Sequence, residues 1–210
     1  MKKVLYVKCN MKDSNSSRTI AISDEFIKNF SEKHPDAEVE ELDLFSCELP
    51  GLDKDIFNAW GMLQQGKGFD ELSDIQKHKL ARVGELTEQF MSADVYVFSF
   101  PMWNLSCPAE MKKYIDNITI VGKTFRYTEK GPIGLLNDKP RKAILVSTYG
   151  GFHFGNSEDF CTPYVESLLK FLGITDVQSI VADGLDAVPA KTADTVESAK
   201  VKARELAVSF

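Results

Sequence analysis

Apolar residues along this chain recur in two alternating rhythms: short runs typical of strands, and longer stretches with the 3.6-residue period of a helix. The strand-like runs are residues 3–7, 38–43, 94–100, 141–147 and 177–182, each bounded by Gly, Pro, Asn, Asp or Ser. The third is apolar from Val95 to Phe100 except at Ser99, as in a strand covered on both faces, whereas the second is only weakly patterned. Between them, residues 19–30 carry Ile20, Ile22, Phe26, Ile27 and Phe30 at helical spacing, and residues 75–91 carry Ile75, Leu80, Val83, Leu86 and Phe90 likewise. Further helices are predicted at 108–117, opened by Pro108, at 163–172, ended by Gly173, and at 190–208. Strand and helix alternating in this way predict one α/β domain over residues 1–210, with a five-stranded parallel sheet and helices on both of its faces.

Two segments exceed what that minimal plan needs: residues 49–72, with Phe57, Trp60, Met62 and Phe69, and residues 118–139, with Phe125 and Tyr127. Long loops in a compact domain tend to be functional. Their aromatics are expected to close over a ligand or to bury a subunit interface, with packing beneath a loop the alternative for any one ring. Phe125 and Tyr127 are the candidates for substrate contact. The composition, 43% hydrophobic and 27% charged, supports a full core, and the net charge of −6 opposes general attraction to nucleic acid or to an anionic membrane. The opening apolar run is cut at Lys8 and Asn10, too short for a signal peptide or a membrane span, so a cytoplasmic location is expected. Cys9, Cys47, Cys107 and Cys161 are scattered, without metal-binding or dithiol spacing, and read as reduced, mostly buried thiols.

Three loops at predicted strand ends carry candidate chemistry. The first leads from Asn10 to Ser17, Arg18 and Thr19, where the free N–H groups and dipole of a helix start favour a phosphate; the same hydroxyls also cap helices for stability alone. The second, Pro101, Met102, Trp103, Asn104 and Leu105, combines surface for a planar ring with an amide for its polar edge. The third, Thr148, Tyr149, Gly150 and Gly151, has paired glycines that let a ligand approach the backbone and permit positive φ, although a simple turn would use them too. In an open sheet with strand order 2-1-3-4-5, ligands bind beyond the carboxyl ends of the strands at the switch point. A phosphate site, a ring site and a close backbone approach at that rim describe a mononucleotide, most simply FMN. The P-loop-like Gly122-Lys123-Thr124 lacks the required earlier glycine and follows a helix.

Several stretches resemble the FMN-dependent NADH azoreductases, also called NADH:quinone oxidoreductases, over nearly the full length. They are Pro101-Met102-Trp103-Asn104, Gly122 to Glu129 with Gly131-Pro132, and Gly173-Ile174-Thr175-Asp176. The resemblance implies a flavodoxin-like fold in which Ser17, Arg18 and Thr19, with Asn10, hold the FMN phosphate. It implies that Met102 to Leu105 flank the isoalloxazine and Thr148 to Gly151 approach its pyrimidine side. It further implies NADH as donor, quinones and azo compounds as acceptors in ping-pong order, and a homodimer with sites at the subunit interface. The chain departs from the family pattern with Thr19 where Ser is common, Trp103 where Tyr is frequent, and Tyr149 where Arg or a small residue is usual, which leaves substrate range open. Flavin chemistry needs no side-chain acid, base or nucleophile, and none is assigned. The competing readings are a flavodoxin-type electron carrier without NADH turnover and a ligand-binding module without flavin.

Overall fold

The computed structural model describes residues 2–210. In chain order its elements are β1 (Lys3–Lys8), α1 (Arg18–Lys33), β2 (Glu38–Asp43), α2 (Lys54–Gln64), α3 (Asp74–Ser92), β3 (Val95–Pro101), α4 (Ala109–Ile118), β4 (Phe125–Thr128), β5 (Gly131–Gly134), β6 (Lys142–Thr148), α5 (Thr162–Leu172), β7 (Asp176–Ala182) and α6 (Thr192–Ser209). Five strands form a parallel sheet ordered β2-β1-β3-β6-β7, while β4 and β5 pair with each other as a separate antiparallel hairpin. Counting only the sheet strands, this is the expected 2-1-3-4-5 order. β3 pairs with β1 on one side and with β6 on the other, from Val95↔Lys142 to Pro101↔Thr148, so the ends of β1, β3 and β6 reach one rim together.

Two apolar layers explain the sheet's composition. Leu5, Val7, Phe98 and Leu145 face Leu86, Phe90, Met111, Tyr114, Val165 and Leu169 from α3, α4 and α5. On the other face, Val4, Tyr6, Val97, Ile144 and Ile180 meet Ile22, Phe26 and Phe30 of α1 and Ala199, Ala203 and Ala207 of α6. Each large apolar side chain fully buried in this way contributes about 1.5–3 kcal/mol relative to exposure. The three alanines of α6 follow each other at four-residue spacing, a stripe on which α1 packs closely. Ser99, the lone polar residue inside β3, is matched: its hydroxyl is hydrogen-bonded to that of Ser23 in α1 at 2.9 Å, Ser23 is bonded to the Tyr6 hydroxyl at 2.5 Å, and Tyr6 donates to Asp24 at 2.8 Å. A satisfied network of this kind carries little desolvation penalty and aligns α1 with β1 and β3.

The long segments are not irregular loops. Residues 49–72 contain α2, whose Asp53 cap accepts from the Asp55 and Ile56 N–H groups, and Lys79 of α3 bridges Asp53 and Asp55 at 2.5 and 2.6 Å. Ile56, Ala59, Trp60 and Leu63 recur at helical spacing along one stripe, a period that the sequence carries, although only Ile56 and Ala59 are buried. Residues 118–139 hold the β4–β5 hairpin, too short and too interrupted by Gly131 and Pro132 to register as strands. Among the described residues, no helix is long and apolar enough to cross a membrane.

Candidate functional site

β1 ends in a loop that Asp13 shapes: its carboxylate accepts from the Asn15 and Ser16 N–H groups, each at 3.1 Å, and its carbonyl accepts from the Ser17 N–H at 2.7 Å. This delivers the chain to α1 with Ser17 as N-cap, its Oγ accepting from the Ile20 N–H at 3.2 Å and from the Asn10 amide at 2.8 Å. The N–H groups of Arg18 and Thr19 have no acceptor among the described residues. They are the orphan donors of a helix start, at the positive end of its dipole. The Thr19 hydroxyl meets that of Thr148 at 2.5 Å, tying the opening of α1 to the end of β6.

A cleft of about 370 Å³ opens over these groups, lined by Asn10, Ser17, Arg18, Thr19, Pro101, Trp103 and Thr148 from the expected set. Met11, Lys12, Ser16 and Asp186 join them. Asp186 escaped the sequence reading, although its loop follows the last sheet strand and therefore lies on the same rim. It accepts from the Arg18 guanidinium at 2.8 Å. Exposed pairs of this kind are worth about 0–1 kcal/mol, so Arg18 can turn to a bound anion at little cost.

Beyond Pro101 the chain makes a tight turn, with reciprocal backbone bonds between Trp103 and Ser106 at 2.8 and 3.1 Å. Its central residues are Asn104 at φ 50° and Leu105 at φ 67°, among the described residues the only non-glycines in the left-handed region. Asn accepts that region readily, whereas for Leu it costs about 1–2 kcal/mol. The turn leaves the side chains of Trp103 and Leu105 partly exposed at the rim. Met102 instead packs against the core and donates its N–H to the Thr148 carbonyl at 2.9 Å.

Several of the expected residues do not line this cleft. Tyr149 does not border the cleft: its ring is fully buried, and its hydroxyl donates to Asp159 at 3.0 Å and bonds Thr162 at 2.6 Å. Burial and this setting push its phenol well above the ordinary tyrosine value. Gly150 and Gly151 have no positive φ; they make room, because a Cβ at Gly150 would fall 2.7 Å from the Asp186 carboxylate and one at Gly151 2.6 Å from the His153 ring. Phe125 is packed in the core against Phe171, with ring centroids 5.1 Å apart, and does not line this cleft. Tyr127 is well exposed on the β4–β5 hairpin and does not line the cleft either. Exposed aromatics that the sequence reading passed over, Phe152, Phe154 and Phe160, stand on the loop after β6.

The donors at one end and the turn at the other suit an anionic mononucleotide with a flat ring. The profile of a flavodoxin-like fold family matches residues 2–207. The chain is 42% identical, over the full length of both, to an FMN-dependent NADH:quinone oxidoreductase of Trichlorobacter lovleyi, and 40% identical, again over both full lengths, to one of Geotalea uraniireducens. An azoreductase crystal structure from Bacillus anthracis superposes with a TM-score of 0.91 at 32% identity, covering 100% of both chains. A second, of an FMN-dependent NADH-azoreductase in complex with FMN from the same species, gives 0.88 at 28% identity, covering 99% of this chain and 100% of that one. The chain is an enzyme that belongs to the flavodoxin-like family of FMN-dependent NADH:quinone oxidoreductases and azoreductases.

Proposed function

We propose that this protein binds FMN in the cleft between the ends of β1, β3 and β6 and uses NADH to reduce quinones and aromatic azo compounds. The observation that carries this reading is the pair of free N–H groups at Arg18 and Thr19, facing the same cleft as Pro101 and Trp103. The N–H groups, the Arg18 guanidinium and Lys12 neutralise the phosphate dianion, as anions at helix starts require. Asn10 fixes the Ser17 cap, and the Thr19–Thr148 hydroxyl pair sets the separation between phosphate end and ring end. Pro101, Trp103 and Leu105 shield the ring from water, and the Asn104 amide serves its polar edge. Thr148, Gly150 and Gly151 bring backbone close on the pyrimidine side.

When bound, FMN supplies the two-electron relay between NADH and acceptor, in ping-pong order. The residues described here position and shield; water serves as the proton source, and no side chain is assigned to proton transfer. A homodimer completes the reading. The exposed Phe57, Val121 and Tyr127, and an apolar cleft of about 490 Å³ bordered by Leu52, Trp60, Leu63, Ile120 and Val121, give a second copy apolar surface to cover. Light scattering on the purified protein is expected to give twice the mass of the chain.

The deciding experiment is to release the chromophore from freshly purified protein and to follow NADH oxidation with menadione. Yellow protein releasing FMN and turning over NADH is expected. Protein that is colourless and takes up no FMN overturns the proposal, and flavin bound without NADH turnover identifies an electron carrier instead.

A further inference from the structure

Two of the four cysteines lie on segments that meet next to the ring-side turn. Ser106 and Phe160 form an isolated parallel β-bridge. The Phe160 N–H donates to the Leu105 carbonyl at 3.1 Å, and the Ser106 hydroxyl donates to the Phe160 carbonyl at 3.1 Å. One residue further along each segment, past the end of the bridge, come Cys107 and Cys161. Bridged residues on neighbouring strands lie about 4.8 Å apart, and the two cysteines that follow this bridge belong to one apolar cluster, with Cys107 among the neighbours that raise the Cys161 thiol. A disulfide spans roughly 4.4–6.8 Å between Cα atoms, a range that includes the spacing of the bridged pair just before the two cysteines. Cys161 is buried, its Sγ 3.9 Å from the Pro101 carbonyl. Cys107 is half-buried and lines an open groove of about 550 Å³ together with Lys112, Phe160 and Tyr164. Neither thiol has a part in the cofactor cleft.

We propose that Cys107 and Cys161 form a disulfide when a hydroperoxide enters this groove, joining the ring-side turn covalently to the segment that precedes α5. Cys107 Sγ attacks the terminal peroxide oxygen and the O–O bond breaks; Cys107 becomes a sulfenic acid, and an alcohol or water departs with the thiol proton. Cys161 Sγ then displaces the hydroxyl from that sulfur, forming the S–S bond and releasing water with the second proton. Two electrons pass in all from the two thiols to the peroxide. The thiolate is the reactive form, and burial raises both thiols above their ordinary value, with the Ser106 hydroxyl and Lys112 opposing it at Cys107. Closure is therefore a response to sustained peroxide rather than a fast catalytic step.

The test is to treat the FMN-loaded protein with hydrogen peroxide, alkylate the remaining thiols under denaturing conditions, and map peptides without reductant. Titratable thiols are expected to fall from four to two, with a linked Cys107–Cys161 peptide that dithiothreitol reverses. Cys107→Ser abolishes the link, and Cys47→Ser retains it. Mapping the unsubstituted protein carries the test even if a variant folds poorly. Persistence of all four thiols, a link from Cys9 to either cysteine, or a sulfinic acid at Cys107 beside a free Cys161 overturns the proposal. None of these readouts depends on NADH turnover, so failure here is distinct from failure of the flavin reading.

Discussion

At Leu105 a side chain of the ring-side turn is held at the expense of its backbone. A φ of 67° suits glycine, and the strain of about 1–2 kcal/mol persists because the Trp103–Ser106 bonds and the Phe160 N–H hold the turn. Leu105→Gly is expected to raise the thermal midpoint of the flavin-free protein while weakening FMN, since strain and ring-side surface are removed together; melting curves and a flavin titration measure the two separately. Arg18 behaves differently. Its pair with Asp186 is exposed, so Arg18→Ala should leave the stability of the flavin-free protein almost unchanged. Loss of a charge-assisted bond worth about 1.5–3 kcal/mol should weaken FMN roughly ten- to a hundredfold, read from fluorescence quenching on titration.

The elements that fill the long segments support the sheet rather than hang over it. The β4–β5 hairpin lies against the end of α5, where Gly173 takes the left-handed C-cap conformation and the Leu136 N–H donates to the Leu172 carbonyl at 2.9 Å. Gly134 lies so close to the Leu172 and Gly173 backbone that a Cβ there would collide with it. Backbone cannot swing aside as a side chain can, so Gly134→Ala should cost about 1–3 kcal/mol, seen as a lower denaturant midpoint. FMN affinity should stay within twofold or so of the parent, because no residue of the hairpin borders the cleft. An unchanged midpoint would mean that the hairpin is free to shift away from α5.

For the molecule as a whole, burial of tyrosines sets the alkaline limit. Tyr6, Tyr96, Tyr114, Tyr149 and Tyr164 all have phenols pushed up, with burial the largest cause in each, and Tyr164 reaches about 12. The folded state keeps the proton more tightly than the unfolded chain does. This stabilisation is complete below the ordinary tyrosine value of about 10 and is lost as pH rises from there through the raised values. Denaturant midpoints should hold steady from neutrality to about pH 9 and drop steeply beyond about pH 10, with phenolate absorbance growing in the same transition. Phenolate beyond the share of the exposed Tyr127 appearing well ahead of unfolding would contradict the buried placement of the other five.

Local order and its periods were legible in the chain itself. Ile22, Phe26 and Phe30 at four-residue spacing, the unbroken run of β3, and Ser17 before a helical stripe depend on neighbours close in sequence, so the five-strand plan and the helix-start wall of the cleft could be read from them. What only the tertiary structure decided involves pairs distant in sequence: Thr19 with Thr148, Arg18 with Asp186, Phe125 with Phe171, and Tyr149 with Asp159 and Thr162 across an intervening loop. A residue's type shows that it can stack or donate; whether its side chain points into the cleft or the core depends on the path of the backbone and on which partner satisfies its polar atoms. For Tyr149 and Phe125 the core outweighed the cleft, because burying a ring among apolar neighbours is favourable wherever the phenol finds an acceptor and the ring finds room.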